Sequence, residues 1–385
     1  VSFEWKIYAR DQNYQRQGEI DEYREATFTP VYNDVGTWEI VIDRRSDQAA
    51  ALTTPGWGIM LTRDGAASRP LLSGTIVQRH HVVSTDQSTI TISGVTDEVW
   101  LKRRLASPSP SESTPPYTVQ ATDNLTGVAS TVVRHYVDVN AGPSAVSARR
   151  VPGLTMATDP VVGASVVGSA RWDNLLELIQ PIAHDGGVGF RVVQVGAGLQ
   201  FQVYQGTDRS GTIKFSIPLG TMAGFEYQTT APTGNYVFIG GTGDGTTRVM
   251  QELNSSSSIA TWGRVEGSLV NSDTADTAKM KQDGNAALEQ GAEQTSLSIT
   301  PVEINGMRYG IDYFLGDTVS ALIEGPGDGT VVDKLRSVSI HLTPDGPQTV
   351  TSSIGTARAA DVMRLSRTFR YVTSLAKRLT ILERH

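Results

Sequence analysis

Gly56-Trp57-Gly58-Ile59-Met60-Leu61 opens a stretch in which a glycine and a strand are followed by the Asp64-Gly65 turn, then Leu71-Leu72-Ser73-Gly74-Thr75-Ile76-Val77, a polar turn, and Thr89-Ile90-Thr91-Ile92-Ser93-Gly94. Short runs of alternating apolar and polar residues bounded by glycine turns are the signature of half-buried β structure. The same order returns late in the chain. There Gly316-Asp317-Thr318-Val319-Ser320-Ala321-Leu322 precedes an Asp328-Gly329 turn, Lys334-Leu335-Arg336-Ser337-Val338-Ser339-Ile340, a Pro344-Asp345-Gly346 turn and Thr349-Val350-Thr351-Ser352-Ser353-Ile354-Gly355. The strands ahead of the two stretches also correspond, Glu39-Ile40-Val41-Ile42 with Ser296-Leu297-Ser298-Ile299. Identities are few, so the repeat rests on pattern, and it predicts two related β units flanking an insert.

The insert has a different texture. Ser107-Pro108-Ser109-Pro110-Ser111-Glu112-Ser113-Thr114-Pro115-Pro116 is poor in apolar residues and rich in proline, which denies it both ladder hydrogen bonds and helix, and it reads as an exposed boundary loop. Beyond it Leu125, Val128, Val132 and Tyr136 recur at helical spacing after Asp123 and Asn124, with Gly142-Pro143 as a stop. A second helix is expected from Trp172 to Ala183, capped by Ser169, with Leu175, Leu176, Ile179 and Ile182 on its buried face and Pro181 kinking or ending it. Phe190–Val195, the Gly196-Ala197-Gly198 turn and Leu199–Tyr204 predict a hairpin. Strand character resumes at Asn235–Ile239, Ser255–Ser258 reads as a polar tract between elements, and a helix is expected from Asp273 to Gln290, ending at Gly291.

Composition agrees with a mainly β chain of more than one packed unit, since 385 residues exceed what one core usually organises and 38 Gly and 17 Pro favour many turns. With no cysteine, a disulfide framework, a thiolate zinc site and a cysteine nucleophile are all excluded. The net charge of -7 argues against a protein that grips nucleic acid, because phosphate binding needs concentrated Lys and Arg. No apolar run approaches a membrane span, and Val1-Ser2-Phe3-Glu4-Trp5 lacks the features of a signal peptide, so a soluble protein made in the cytoplasm, without stable membrane binding, is expected.

Motifs with catalytic meaning are weak. Gly240-Gly241-Thr242-Gly243-Asp244-Gly245 follows a strand, yet no Gly-Lys-Ser/Thr follows and Thr246 breaks GxGxxG, which favours a glycine-rich turn. His80 and His81 are neighbours on a strand, so they point to opposite faces and cannot share a metal. No GxSxG elbow occurs, and Asp283-Gly284-Asn285 and Asp328-Gly329 offer too few oxygen ligands for a calcium loop. Paired carboxylates for glycoside cleavage have too many candidates among 40 Asp and Glu to rank. Neither catalytic residues, nor metal ligands, nor a cofactor site are assigned.

The final segment is helical in pattern. Val362, Phe369 and Ala376 lie one heptad apart, as do Leu365, Val372 and Leu379, and Arg358, Arg364, Arg367, Arg370, Lys377, Arg378 and Arg384 make the segment basic. It reads as a helix that docks on an acidic partner or lines a symmetric axis, or equally as an ordinary amphipathic helix against its own domain.

These segments, in this order, resemble the tail-hub proteins of siphophages, the tail-associated or baseplate-hub family, especially those of phages infecting actinobacteria. Leu71–Val77, Ile90–Gly94 and Trp100-Leu101-Lys102-Arg103-Arg104 are similar to the family's "LFSG", "SG" and "LxxR" stations. Ala170–Leu176, Tyr236–Gly241 and Tyr309-Gly310-Ile311-Asp312-Tyr313-Phe314-Leu315-Gly316-Asp317-Thr318-Val319 continue the likeness, with "DYxLGDxV" the most specific. The resemblance implies an α+β, mainly β fold: a tube-like β-barrel domain at 1–105, a mixed α/β insert at 106–230, a second tube-like β-barrel domain at 231–358 and a C-terminal helix at 359–385. It further implies a homotrimeric ring that presents six similar units to a sixfold tail tube. The tail tube or distal tail protein would bind above and tail fibre or tip proteins below, with tape-measure protein and DNA passing through. Many relatives continue into fibre or lytic regions whereas this sequence stops at His385, which argues against host binding or wall cutting. A tail-tip cell-wall hydrolase or host-glycan-binding protein is the alternative.

Overall fold

The computed structural model describes residues 4–65, 70–85, 88–117, 119–272, 274–324, 329–344 and 349–355. The first part of the chain forms β1 (Trp5–Arg10), β2 (Arg16–Glu19), β3 (Tyr23–Thr29), β4 (Thr37–Asp43), α1 (Asp47–Thr53), β5 (Gly58–Arg63), β6 (Leu72–Val83), β7 (Ser88–Thr96) and α2 (Val99–Lys102). The middle forms β8 (Asp123–Val128), α3 (Ala129–Asn140), β9 (Leu154–Met156), β10 (Ser165–Ala170), α4 (Leu175–Asp185), β11 (Gly189–Val195) and β12 (Gly198–Tyr204). Then come β13 (Lys214–Phe215), β14 (Met222–Thr230), β15 (Tyr236–Gly240), β16 (Met250–Asn254), α5 (Ser256–Trp262), β17 (Val270–Asn271), α6 (Thr277–Gly291), β18 (Gln294–Pro301), β19 (Thr318–Ile323), β20 (Gly329–Leu342) and β21 (Thr349–Gly355). The fold is α+β and mainly β.

The repeat is real at the level of hydrogen-bonded register. Strands β5, β6, β7, β4 and β3 pair in that order, all antiparallel, and β19, β20, β21, β18 and β14 pair in the same order and sense. Irregularities fall at matching places. The β6–β7 ladder slips between Ile76 and Gln78, and the β20–β21 ladder slips between Leu335 and Ser337. Likewise β3–β4 slips between Tyr23 and Glu25, and β14–β18 between Met222 and Gly224. A bulge is a specific feature of a strand pair, so two coincident bulges mark one architecture used twice. Gly56 and Gly316, which head the two copies, both take left-handed backbone, with φ of 79° and 87°.

The register of the leading strands differs by two residues from the sequence pattern. Ile40 faces Ile92 in the first unit and Ile299 faces Ser352 in the second, so Ile299 corresponds to Ile40 and not to Ile42. A shift of two keeps every side chain on its face, so hydrophobic alternation alone cannot detect it. Packing compensates across the repeat. Trp38 lies opposite Gly94, whereas Leu297 and Ile354 share the bulk in the matching pair.

The two expected barrels are not closed. Among the described residues the units merge into one 13-stranded sheet whose path runs from β14 to β2 and keeps two ends. The reason is the joint between β20 and β3, made by Ile340 opposite Phe28, His341 opposite Thr27 and Leu342 opposite Ala26, which occupies an edge that barrel closure would need. Phe28, Trp38 and Ile40 of the first unit share a core with Phe215, Tyr313 and Ile340 of the second.

The insert folds around its own core of Val132, Tyr136, Leu175, Ile179, Phe190 and Phe201. The expected hairpin is β11–β12. Helix α3 starts later than its periodicity suggests, because Asp123–Val128 pairs with β10 as a strand. Helix α4 is capped by the Asn174 side chain, which accepts from the backbone amide of Leu176 at 3.1 Å, and not by Ser169. Pro181 sits inside α4 without ending it, since buried Ile182 and Ala183 hold the last turn against the core. The proline-rich loop is exposed only in part: Ala106–Ser109 are buried, with the Ser107 amide donating to Asn140 Oδ1 at 2.8 Å.

Pairing draws Lys214–Thr230 towards the second unit, because β13 joins β19 and β14 joins β18. Between β14 and β18, the strands β15–β17 form a separate small sheet on which α6 packs through Met280. The polar tract at Ser255 initiates α5. Helix α6 begins at Thr277, capped by Asp276, and ends at Gly291 as expected. The expected C-terminal helix, residues 359–385, lies outside the described residues, as do Asp328 and Asp345-Gly346. Among the described residues no helix is long and apolar enough to cross a membrane.

Candidate assembly surface

Several of the motifs singled out in the sequence hold one part of the chain against another. Arg10 on β1 grips Asp97 with two nitrogens, at 2.8 and 2.6 Å, and reaches Gln194 on β11 at 3.0 Å. Ser73 donates to Asp97 at 2.5 Å and accepts from the Gln194 amide at 3.1 Å, so this buried cluster fastens the first β unit to the insert. Next to it Glu98 is buried and accepts from the Val192 amide at 3.0 Å. Burial pushes its carboxyl up to about 7, against the opposing pull of its hydrogen bonds.

A second joint links the β units. Arg63 on β5 donates to Glu303 Oε1 at 2.8 Å and to the Tyr309 carbonyl at 2.7 Å. The Tyr309–Val319 segment is itself a set of caps. Asp317 accepts from Arg209 Nε at 2.8 Å, from the Thr207 amide at 2.8 Å and from the Phe314 amide at 3.0 Å. Tyr313 is buried edge-on to Phe215 with ring centroids 5.6 Å apart, and a side chain on Gly316 would overlap the Tyr32 ring. The "DYxLGDxV" words are therefore structural: Tyr fills the core, Gly admits a neighbouring ring and Asp ties down three donors.

Two of the motifs with catalytic overtones, the Gly240–Gly245 loop and Asp283-Gly284, have their polar groups engaged within the fold. In the Gly240–Gly245 loop the amides of Gly241 and Thr242 already donate to the carbonyls of Val249 and Thr274, at 2.8 and 3.3 Å. Arg248 donates to the carbonyls of Gly240 and Gly241, both at 3.1 Å, so a cation and not an anion sits in the loop. His80 and His81 lie exposed on β6, opposite Thr91 and Ile90. Asp283 lies within α6 and accepts from Ser272 and Lys279, both at 2.7 Å. Gly284 is where the helix touches Ile239 and Leu253.

Like the Arg10–Asp97 cluster, a second group escaped sequence reading. His184 at the end of α4 lies 3.1 Å from Glu289 on α6 and 3.8 Å from Asp185, and the three form the metal-capable group among the described residues. Their separation along the chain leaves no spacing signal to find. Burial raises the Glu289 carboxyl above its ordinary range. A polar cleft of about 1180 Å³ runs between α4 and α6.

Residues 4–356 match the family described as Siphovirus ReqiPepy6 Gp37-like protein. The chain belongs to this family. Its fold is similar to that of solved phage tail proteins. The prophage tail protein gp18 from Listeria monocytogenes EGD-e superposes with a TM-score of 0.57 at 10% identity, over 96% of this chain and 99% of that one. A tail protein from Neisseria meningitidis MC58 gives 0.56 at 11% identity over 91% and 96%, and the prophage MuSo2 43 kDa tail protein from Shewanella oneidensis gives 0.56 at 11% over 91% and 98%. At such identities the likeness is one of fold. No curated protein matches the chain.

Proposed function

We propose that the chain is a non-enzymatic structural protein of a phage tail, a hub that joins the sixfold tail tube to threefold tip proteins. The observation that carries this reading is the repeated strand order with its bulges at matching places in both copies. Three copies of a chain with two alike units present six alike surfaces, which is what a sixfold tube requires of a threefold neighbour. Tube or distal tail protein would seat on that six-unit face, fibre or tip proteins on the opposite one, and tape-measure protein and DNA would pass through the middle. The net charge of -7 supports passage, since an acidic wall repels phosphate. Family membership and the tail-protein fold support the same placement at the virion tail tip. Electron microscopy and native mass measurement of the purified chain are expected to give a ring of three copies. A stable monomer, a twofold dimer, or release of sugars or peptides from purified cell walls would overturn the reading.

A further inference from the structure

The joint inside the chain has a vacant counterpart. Strand β20 pairs with β21 along one edge; on the other edge it pairs with β19 up to Lys334 and then with β3 at Ile340–Leu342. Strand β6 is built the same way, pairing with β7 along one edge and with β5 on the other only from Leu72 to Thr75. Past that point, Gln78–Val83 has no strand on its second edge among the described residues. The counterpart of β3 is β14, which pairs with β18 and, among the described residues, ends the sheet with no strand on its other edge.

We infer that β6 of one copy and β14 of a second copy form an antiparallel pair that repeats the β20–β3 joint between chains, with His81 opposite Tyr227. The register follows from the ladders. Ile340 faces Val350 as His81 faces Ile90, and Phe28 faces Trp38 as Tyr227 faces Leu297. The in-chain pairs Ile340 with Phe28, His341 with Thr27 and Leu342 with Ala26 then translate to His81 with Tyr227, Val82 with Glu226 and Val83 with Phe225.

The surface chemistry suits burial by a second copy. Val77 and Val83 are 51% and 59% exposed on β6, and Tyr227 is 44% exposed on β14. Neither edge carries the proline or lysine that blunts a strand meant to stay single. In this register Glu226 lies opposite Val82 and diagonal to His80 on the same face, a polar neighbour for an exposed imidazole. Because the two edges differ, the contact is head-to-tail and either closes into a ring or continues as a filament. Only its closure at three copies rests on the hub reading.

The absence of cysteine makes the register directly testable, since directly opposed residues lie about 4.5–5.5 Å apart at Cα, within disulfide reach. Purified full-length H81C and Y227C chains are mixed and oxidised. The expected result is a disulfide between the two kinds of chain, none within either kind alone, and a much slower reaction for H81C with T230C, where the side chains face opposite ways. Bonding of H81C to itself, equal reaction with T230C, or no bond at all overturns the inference. Rings that form without the bond overturn this interface and leave the hub reading standing, whereas bonded chains that stay open or close at another number keep the interface and overturn the trimer.

Discussion

Arg10 and Asp97 face each other as a two-point ion pair, with both side chains almost wholly removed from solvent and Gln194 and Ser73 completing their hydrogen bonds. Charges in such a place are tolerable only in company. Arg10→Ala leaves a buried carboxylate without its counter-ion, and a loss of about 3–5 kcal/mol is expected. Urea unfolding of R10A and of the double variant R10M/D97L checks it; the double variant should recover part of the loss, and an R10A midpoint equal to that of the parent would show that the pair contributes nothing.

Trp38 and Gly94 form a large-and-small pair across β4 and β7, and a methyl on Gly94 would overlap the indole. Gly94→Ala is expected to cost about 1–3 kcal/mol by overpacking. Combined with Trp38→Leu, which imitates the Leu297–Ile354 pair, the two substitutions should couple favourably by about 0.5–3 kcal/mol, readable in a double-mutant cycle. Strict additivity would refute the packing argument.

Gly316 and Gly306 both have left-handed backbone, with φ of 87° and 84°, but only at Gly316 would a side chain strike a neighbour, the ring of Tyr32. Alanine carries the same backbone penalty of about 1–2 kcal/mol at both places. G316A should therefore melt lower than G306A, and equal melting temperatures would remove the Tyr32 contact from consideration.

Glu98 gives stability a pH dependence of unusual sign. Its carboxyl ionises near 4.5 when unfolded but is held up to about 7 by burial in the fold. Between those values the native state binds more protons than the unfolded one, so this group's contribution falls as pH rises from 4.5 to 7 and is level above. Glu98→Gln should abolish that slope in urea midpoints measured across the window, and an unchanged slope would mean another group is responsible.

Much of the β framework was legible because glycine turns and alternation are local signals. Gly56 and Gly316 head the two copies as the pattern predicts, and α6 ends at the expected Gly291 while its cap, Asp276, lies three residues beyond the expected start at Asp273. What sequence withheld was register and partnership. The two-residue offset of Ile299 is invisible to a pattern of period two, and the union of β20 with β3 depends on an edge that no local signal names. Likewise the Arg10–Asp97 cluster and the His184–Glu289 contact bring together residues that only the tertiary fold makes neighbours.

Thr27 and His341, whose side chains touch at 3.1 Å in the β20–β3 joint, stand 314 positions apart. A ribosome therefore releases β3 long before the strand that covers it exists, and the growing polypeptide must carry that edge bare while the residues between them are made. Contacts of such span close slowly. Premature termination ahead of Ile340 would leave a sticky N-terminal fragment whose β3 can take the place of an intact chain's own β3 against β20, so quality control of truncated products bears directly on how many sound particles a cell releases.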